Sequence, residues 1–152
     1  KLTAVGGVTY SPAERTFAQQ LHATLGETKT RIEDAATIEP MREDRSYGST
    51  DVGDVSWTVP TAGFSTATWV PGTPAHSWQA VAAGGMSIGH KGLQNAAKVM
   101  ALSAIELYTD PALVSAAKAE FAERRGPDFV YRSLVGDRKP PLDYRNNAAS
   151  GK

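Results

Sequence analysis

The sequence predicts an α/β domain, and three observations carry that reading. Residues 55–70 hold two short runs rich in aromatic and β-branched residues, Val55-Trp57-Val59 in strict alternation and then Phe64, Ala67, Trp69 and Val70. Around them lie three segments with helical spacing, near 12–25, 93–108 and 111–124. The composition, 41% hydrophobic and 21% charged over 152 residues, is that of one ordinary domain able to bury a core.

The elements follow in chain order. Residues 1–9 are short and Gly-interrupted, consistent with a strand or linker leading into the domain. Ser11-Pro12-Ala13-Glu14 is a capping box: the Ser11 hydroxyl accepts from the N3 amide while Glu14 reaches back. Pro12 suits the first helical position, where its missing N–H is not needed. Phe17, Leu21 and Leu25 then recur four apart, and Gly26 stands where a C-cap is expected. Residues 27–50 are charged and irregular, with Arg42-Glu43-Asp44-Arg45 leading to Tyr47-Gly48-Ser49-Thr50-Asp51, and 27–45 read as a solvated connector. Two strands joined by Pro60–Gly63 come next, and Pro71-Gly72-Thr73-Pro74 ends the second with turn chemistry.

Past His76-Ser77-Trp78-Gln79, the glycines at 84, 85, 89 and 92 read as a loop leading into a helix; their spacing matches no phosphate-binding fingerprint. In that helix Leu93, Ala96, Ala97, Met100, Ala101, Ala104, Leu107 and Tyr108 fall at three- and four-residue steps. This alanine-dominated face suits close approach to a sheet or another helix. Asp110-Pro111 supplies an N-cap and an N1 proline for the last helix, and Arg124-Arg125 sit at the negative end of its dipole. Phe129-Val130-Tyr131 reads as a short strand, and 137–152 as an extended tail beyond a domain of residues 1–136.

Several function classes are excluded. Sixteen basic residues balance sixteen acidic ones, and no basic stripe with interleaved aromatics suggests nucleic acid. With no cysteine, a disulfide scaffold, a thiolate metal site and a cysteine nucleophile are absent. No apolar run approaches the ~20 residues of a membrane span. The start at Lys1, within apparently ordered sequence and without a signal-peptide core, suggests a processed chain or a fragment.

Of the three histidines, His22 reads as a surface residue within a helix and His90 as a capping or solvent residue. His76 follows a Pro-Gly-Thr-Pro turn, where a loop can present an imidazole rigidly. A catalytic zinc takes about three protein ligands plus water, so His76 with Asp51 or Asp54 supplies part of a site at most. Asp51 and Asp54 flank Val52-Gly53, where aspartate ordinarily caps a turn; the alternative is that one lines a site beside His76. Trp57, Trp69 and Trp78 read as packing residues, Trp78 standing two positions from His76.

Three strings taken together carry a resemblance: Gly48-Ser49-Thr50-Asp51-Val52-Gly53-Asp54-Val55-Ser56-Trp57, Gly72-Thr73-Pro74-Ala75-His76-Ser77-Trp78-Gln79, and Ser87-Ile88-Gly89-His90-Lys91-Gly92. In this order, and with Val5-Gly6-Gly7-Val8-Thr9-Tyr10 and Phe17-Ala18 before them, they resemble the C-terminal segment of aminobenzoyl-glutamate utilisation protein B-like amidohydrolases. That family belongs to the aminoacylase and carboxypeptidase-like dinuclear metallopeptidases. The resemblance spans residues 1–145 or so.

It implies the C-terminal portion of a zinc-peptidase-like catalytic domain, a mixed sheet flanked by helices. It implies two divalent metal ions, zinc or manganese, activating a water toward an amide or peptide substrate such as aminobenzoyl-glutamate. His76, in a His-Ser segment, matches a family metal ligand, and Asp51 matches an aspartate close to the site in a supporting role. It further implies a cytoplasmic enzyme, homodimeric through a domain absent here.

The departures matter as much. No His-x-Asp occurs in residues 1–152, and the family's adjacent glutamates and lid have no counterpart. The reaction is therefore expected of a full-length parent, with this chain inactive alone. The rival expectations are a non-catalytic α/β partner-binding module, or one half of a site that two chains assemble.

Overall fold

In the computed structural model, residues 1–43, 48 and 50–142 are described. They form helices α1 (Leu2–Val5), α2 (Pro12–His22), α3 (Val52–Ser56), α4 (Trp78–Gly84), α5 (Ser87–Thr109) and α6 (Pro111–Arg125), with a 3-10 helix at Ile32–Ala36. The chain divides into two compact units. The first comprises Lys1–Tyr47 and Ala62–Ala116, the second Gly48–Thr61 and Ala117–Lys152. Residues 44–47 and 49 of the charged stretch, and residues 143–152 of the expected tail, lie outside the described residues.

The first unit is built on α2, α4 and α5. The capping box forms as the sequence predicts: the Glu14 amide donates to Ser11 Oγ at 3.3 Å, and the Ser11 amide donates to Glu14 Oε2 at 2.6 Å. Ala18 and Leu21 of α2 meet Val70, Ala83 of α4 and Ile88 of α5 in a small buried core, with Tyr10, Phe17, Ile32 and Ala82 packed around it. The N-terminal segment runs along α5, where Asn95 Nδ2 donates to the carbonyls of Gly6 (3.1 Å) and Gly7 (3.2 Å), and Lys1 pairs with Glu106 at 2.6 Å. At Gly7 the backbone of Ala36 occupies the place of a Cβ, and the adjacent Val8 amide bonds to Ala35 O at 2.8 Å. Only glycine permits that approach.

The expected α/β fold with its mixed sheet is not what forms. Among the described residues there is no strand. The run at 55–59 begins as α3. Its polar groups are satisfied locally, with the Ser56 hydroxyl donating to Gly53 O (2.8 Å) and the Thr58 hydroxyl to Val55 O (2.9 Å). Such back-bonding competes directly with a strand ladder. The run at 64–70 is irregular and lies against α5: Thr66 Oγ1 donates to Gly92 O at 2.9 Å, and the Ala67 backbone stands where a Cβ on Gly92 would be. Residues 129–131 are irregular as well, and Leu2–Val5 is helical.

The physical reason is pairing. Alternation says which residues suit a pleated surface, but a strand also needs a neighbour about 4.8 Å away to take its N–H and C=O groups. With Pro60 between the runs and no strand beside either among the described residues, local hydroxyls and a helix surface supply polar partners instead.

Two glycines change role. Gly89 and Gly92, expected before a helix, are inside α5, which starts at Ser87. Each allows a close approach, Gly89 to the backbone of Gly84 and Gly92 to that of Ala67. The face of α5 that is buried is therefore Ile88, Gly89, Gly92 and Val99. The alanine-rich face that the periodicity marks out is exposed, with Leu93 at 64% and Met100 at 63%. Where α6 starts, Asp110 Oδ1 accepts from the amides of Ala112 (3.0 Å) and Leu113 (3.2 Å), the N-cap read from the sequence.

In the second unit, Trp57 stacks on Phe129 with ring centroids 4.7 Å apart, and the Arg125 guanidinium lies 4.9 Å from the Phe121 ring centroid. Arg124 pairs with Glu120 one turn back at 3.2 Å.

Candidate functional site

His76 occupies an exposed turn just before α4. Its backbone is left-handed, φ 58°, the sole non-glycine residue with positive φ among the described residues. That conformation costs a side-chain-bearing residue about 1–2 kcal/mol, and so must be held by its surroundings.

The surroundings are visible. Ser77 Oγ donates to Pro74 O at 2.7 Å and accepts from the Ala80 amide at 3.2 Å, closing the turn and capping α4 together. Upstream, Gly72 (φ 85°) turns the chain against Thr28 and Thr30, whose hydroxyls bond each other at 2.8 Å. Downstream, Gln79 Nε2 donates to Thr24 Oγ1 at 3.3 Å. His22 joins the same support: its Nε2 lies 3.0 Å from Thr30 O. His76 is thus an exposed imidazole on a turn anchored on both sides.

Beside this turn lies an open cleft of about 280 Å³ lined by Asp34, Thr66, Trp69, Val70, Gly72 and Thr73 among others. Thr73 Oγ1 is buried there without a hydrogen-bond partner. The Asp34 carboxyl is held below its ordinary pKa, first by the Arg31 amide, which donates to it at 2.7 Å. The cleft is shallow, and His76 does not line it. Trp78, next to the Ser77 cap, is 61% exposed and packs into no core.

Asp51 belongs to the other unit, where it immediately precedes α3. Its side chain makes no capping bond; the Thr50 hydroxyl accepts from the Val52 amide instead, at 3.3 Å. Asp54 is engaged by Tyr131, whose hydroxyl donates to Asp54 Oδ1 at 2.8 Å. That bond is the first cause of the raised Tyr131 pKa. The two carboxylates flanking Val52-Gly53 therefore differ: Asp54 fastens the 129–131 segment, and Asp51 remains exposed.

The donor set does not compose a metal centre. Among the described residues no three His, Cys, Asp or Glu side chains converge to hold a metal ion. His76 offers one donor where a catalytic zinc takes about three protein ligands, and a dinuclear site needs more.

A polar cluster that the sequence left as a mere cap lies elsewhere in the first unit. Glu14 accepts from Ser87 Oγ at 2.6 Å and from Lys91 Nζ at 2.5 Å, besides the Ser11 amide. Lys91 also donates to Thr9 O at 3.0 Å. The Lys91 ammonium first, then the Ser87 hydroxyl and the Ser11 amide, hold the Glu14 carboxyl at a pKa of about 2. Tyr10 has a buried, unpartnered hydroxyl, and burial, then the Glu14 charge, pushes its pKa up to about 12. The capping box announces the local half of this cluster. Nothing in the sequence announces a lysine 77 residues away.

Comparison with known proteins adds one relation. No family model matches the chain, and no solved structure matches it. No helix among the described residues is long and apolar enough to cross a membrane. A stretch of 72 residues, 47% of this chain, is 46% identical to a p-aminobenzoyl-glutamate hydrolase subunit of Escherichia coli (strain K12). That match covers 15% of the relative's length, so the chain is similar to a small part of one component of a hydrolase.

Proposed function

We propose that this chain is part of a cytoplasmic metal-dependent amidohydrolase that cleaves the amide bond of an aminobenzoyl-glutamate-like compound. The observation that carries the reading is the 46% identity over 72 residues to the p-aminobenzoyl-glutamate hydrolase of Escherichia coli. His76 supports it as a single metal ligand, because its turn is anchored on both sides and leaves the imidazole exposed. Asp51 takes a supporting role in the complete enzyme. Both ions, zinc or manganese, draw their remaining ligands from residues outside this chain, and the chain alone is inactive.

The test is His76→Ala in the complete enzyme that carries this segment, read by metal content and by hydrolysis of p-aminobenzoyl-glutamate. The expected result is loss of bound metal and at least a 100-fold fall in hydrolysis, beyond the ~10–100-fold range for groups that only orient a ligand. Full metal content with full turnover overturns the assignment.

A second reading, one half of a site completed by another polypeptide, is favoured by the apolar surface that α5 exposes. Hydrolysis that appears only when a separate polypeptide is added to this chain distinguishes it from the first.

A further inference from the structure

His76 keeps a conformation that its residue type does not favour. At φ 58° it is left-handed, where a Cβ crowds the following carbonyl oxygen. Burial does not hold it there, since the residue is exposed. Bonds on either side hold it, and the shortest of them passes through one atom. Ser77 Oγ donates to Pro74 O at 2.7 Å and accepts from the Ala80 amide at 3.2 Å. The first bond closes the chain around Ala75 and His76, and the second caps α4. The other anchors lie further off: Gly72 against Thr28 and Thr30 before the turn, and Gln79 on Thr24 within α4.

Donating and accepting at once is a property of a hydroxyl. Alanine at position 77 supplies neither bond. Aspartate supplies the cap but, ionised, has no proton for Pro74 O. Threonine supplies both. A change in the sign of φ also re-aims the Cα–Cβ bond relative to the flanking chain. Losing the Pro74 bond therefore releases φ and turns the imidazole with it.

We infer that Ser77 is the positioning residue of His76: its bond to Pro74 O holds the left-handed turn that aims the imidazole. The conformational half of this inference stands on the turn itself. Its consequence for metal binding rests on the proposed amidohydrolase reading, in which His76 is a ligand and Ser77 acts only through it.

The first measurement is the nuclear Overhauser effect between the His76 amide proton and its own Hα in the isotope-labelled 152-residue chain. That effect is strong where φ is positive. It is expected to be strong in wild type and Ser77→Thr, and to weaken in Ser77→Ala and Ser77→Asp. Because Ser77→Asp keeps the cap of α4, it gives the reading even if Ser77→Ala unfolds. The second measurement is zinc affinity, by chelator competition, of the complete enzyme that carries this segment. Ser77→Ala is expected to lower it about 10–100-fold, the range for groups that orient a ligand, and Ser77→Thr to preserve it. Added to His76→Ala, the Ser77→Ala change is expected to lower it no further; a mere loss of the α4 cap would weaken both backgrounds alike. A His76 that stays left-handed in Ser77→Ala or Ser77→Asp overturns the inference. Equal losses in the two backgrounds, or unchanged zinc affinity in Ser77→Ala where His76→Ala loses zinc, overturn it too. Zinc retained in His76→Ala overturns the metal reading instead, and the conformational result alone then decides for or against Ser77.

Discussion

Glu14 shows how one side chain serves two scales of order. As an N3 residue it closes a capping box with Ser11, and as a buried anion it ties α5 to α2 through Ser87 and Lys91. Removing a Ser11-type cap costs about 1 kcal/mol. Glu14→Ala is expected to cost more, roughly 1.5–3 kcal/mol, because it also releases a charge-assisted bond; urea denaturation of the two variants makes the comparison. The pH dependence follows from the same contacts. The folded-state pKa lies near 2, below the ordinary 4.5. This contribution is therefore complete above about pH 4.5 and is lost as pH falls toward 2. Acid titration of wild type should show a stability loss in that window that Glu14→Gln lacks.

His76 is a second residue with its own test. Because φ is 58°, His76→Gly relieves steric strain while His76→Val adds to it. The valine variant is expected to be less stable than the glycine variant by about 1–2 kcal/mol, measured by thermal or urea unfolding. Equal stabilities would show that the turn relaxes freely.

At the scale of the element, α5 inverts an ordinary rule. Gly→Ala in a helix interior usually stabilises by roughly 1 kcal/mol. At Gly89 and Gly92 the added methyl meets the backbone of Gly84 or Ala67, so both substitutions should lower the melting temperature. An increase at Gly92 would mean that the 64–70 segment does not rest on α5, and one at Gly89 that the end of α4 does not. Helix starts were legible where capping residues mark them, Ser11 and Pro12 for α2, Asp110 and Pro111 for α6; the end of α2 was not, since it closes at His22 with Ala23 as C-cap rather than at Gly26. Starts were not legible where packing decides. α5 begins at Ser87 rather than near Leu93 because glycines, poor in intrinsic propensity, are the residues that let its first turns touch α4 and the 64–70 segment.

At the scale of the molecule, the first unit's core holds few fully buried side chains, Ile88 and Val70 the largest. Ile88→Ala is expected to cost about 2–5 kcal/mol, a large share of the roughly 5–15 kcal/mol that a domain possesses. Calorimetry should find the variant near or below its folding threshold at physiological temperature. An unshifted melting transition would place the stability of the unit elsewhere. The second unit is held by different means, Trp57 on Phe129 and Tyr131 on Asp54.

By itself the sequence determined what is local: the capping box at Ser11, the N-cap at Asp110 and the turn after Val70. Each depends on residues within a few positions of one another, so one stretch of chain is enough. Only the tertiary structure decided which apolar pattern is buried. Val55-Trp57-Val59 has the period of a strand, yet among the described residues no strand offers it a ladder. Leu93-Met100-Leu107 has the period of a core face, yet the glycines at 89 and 92 let α5 approach its neighbours more closely on its other side. Periodicity states which surface can be buried; backbone pairing and close approach, which depend on distant residues, select the one that is.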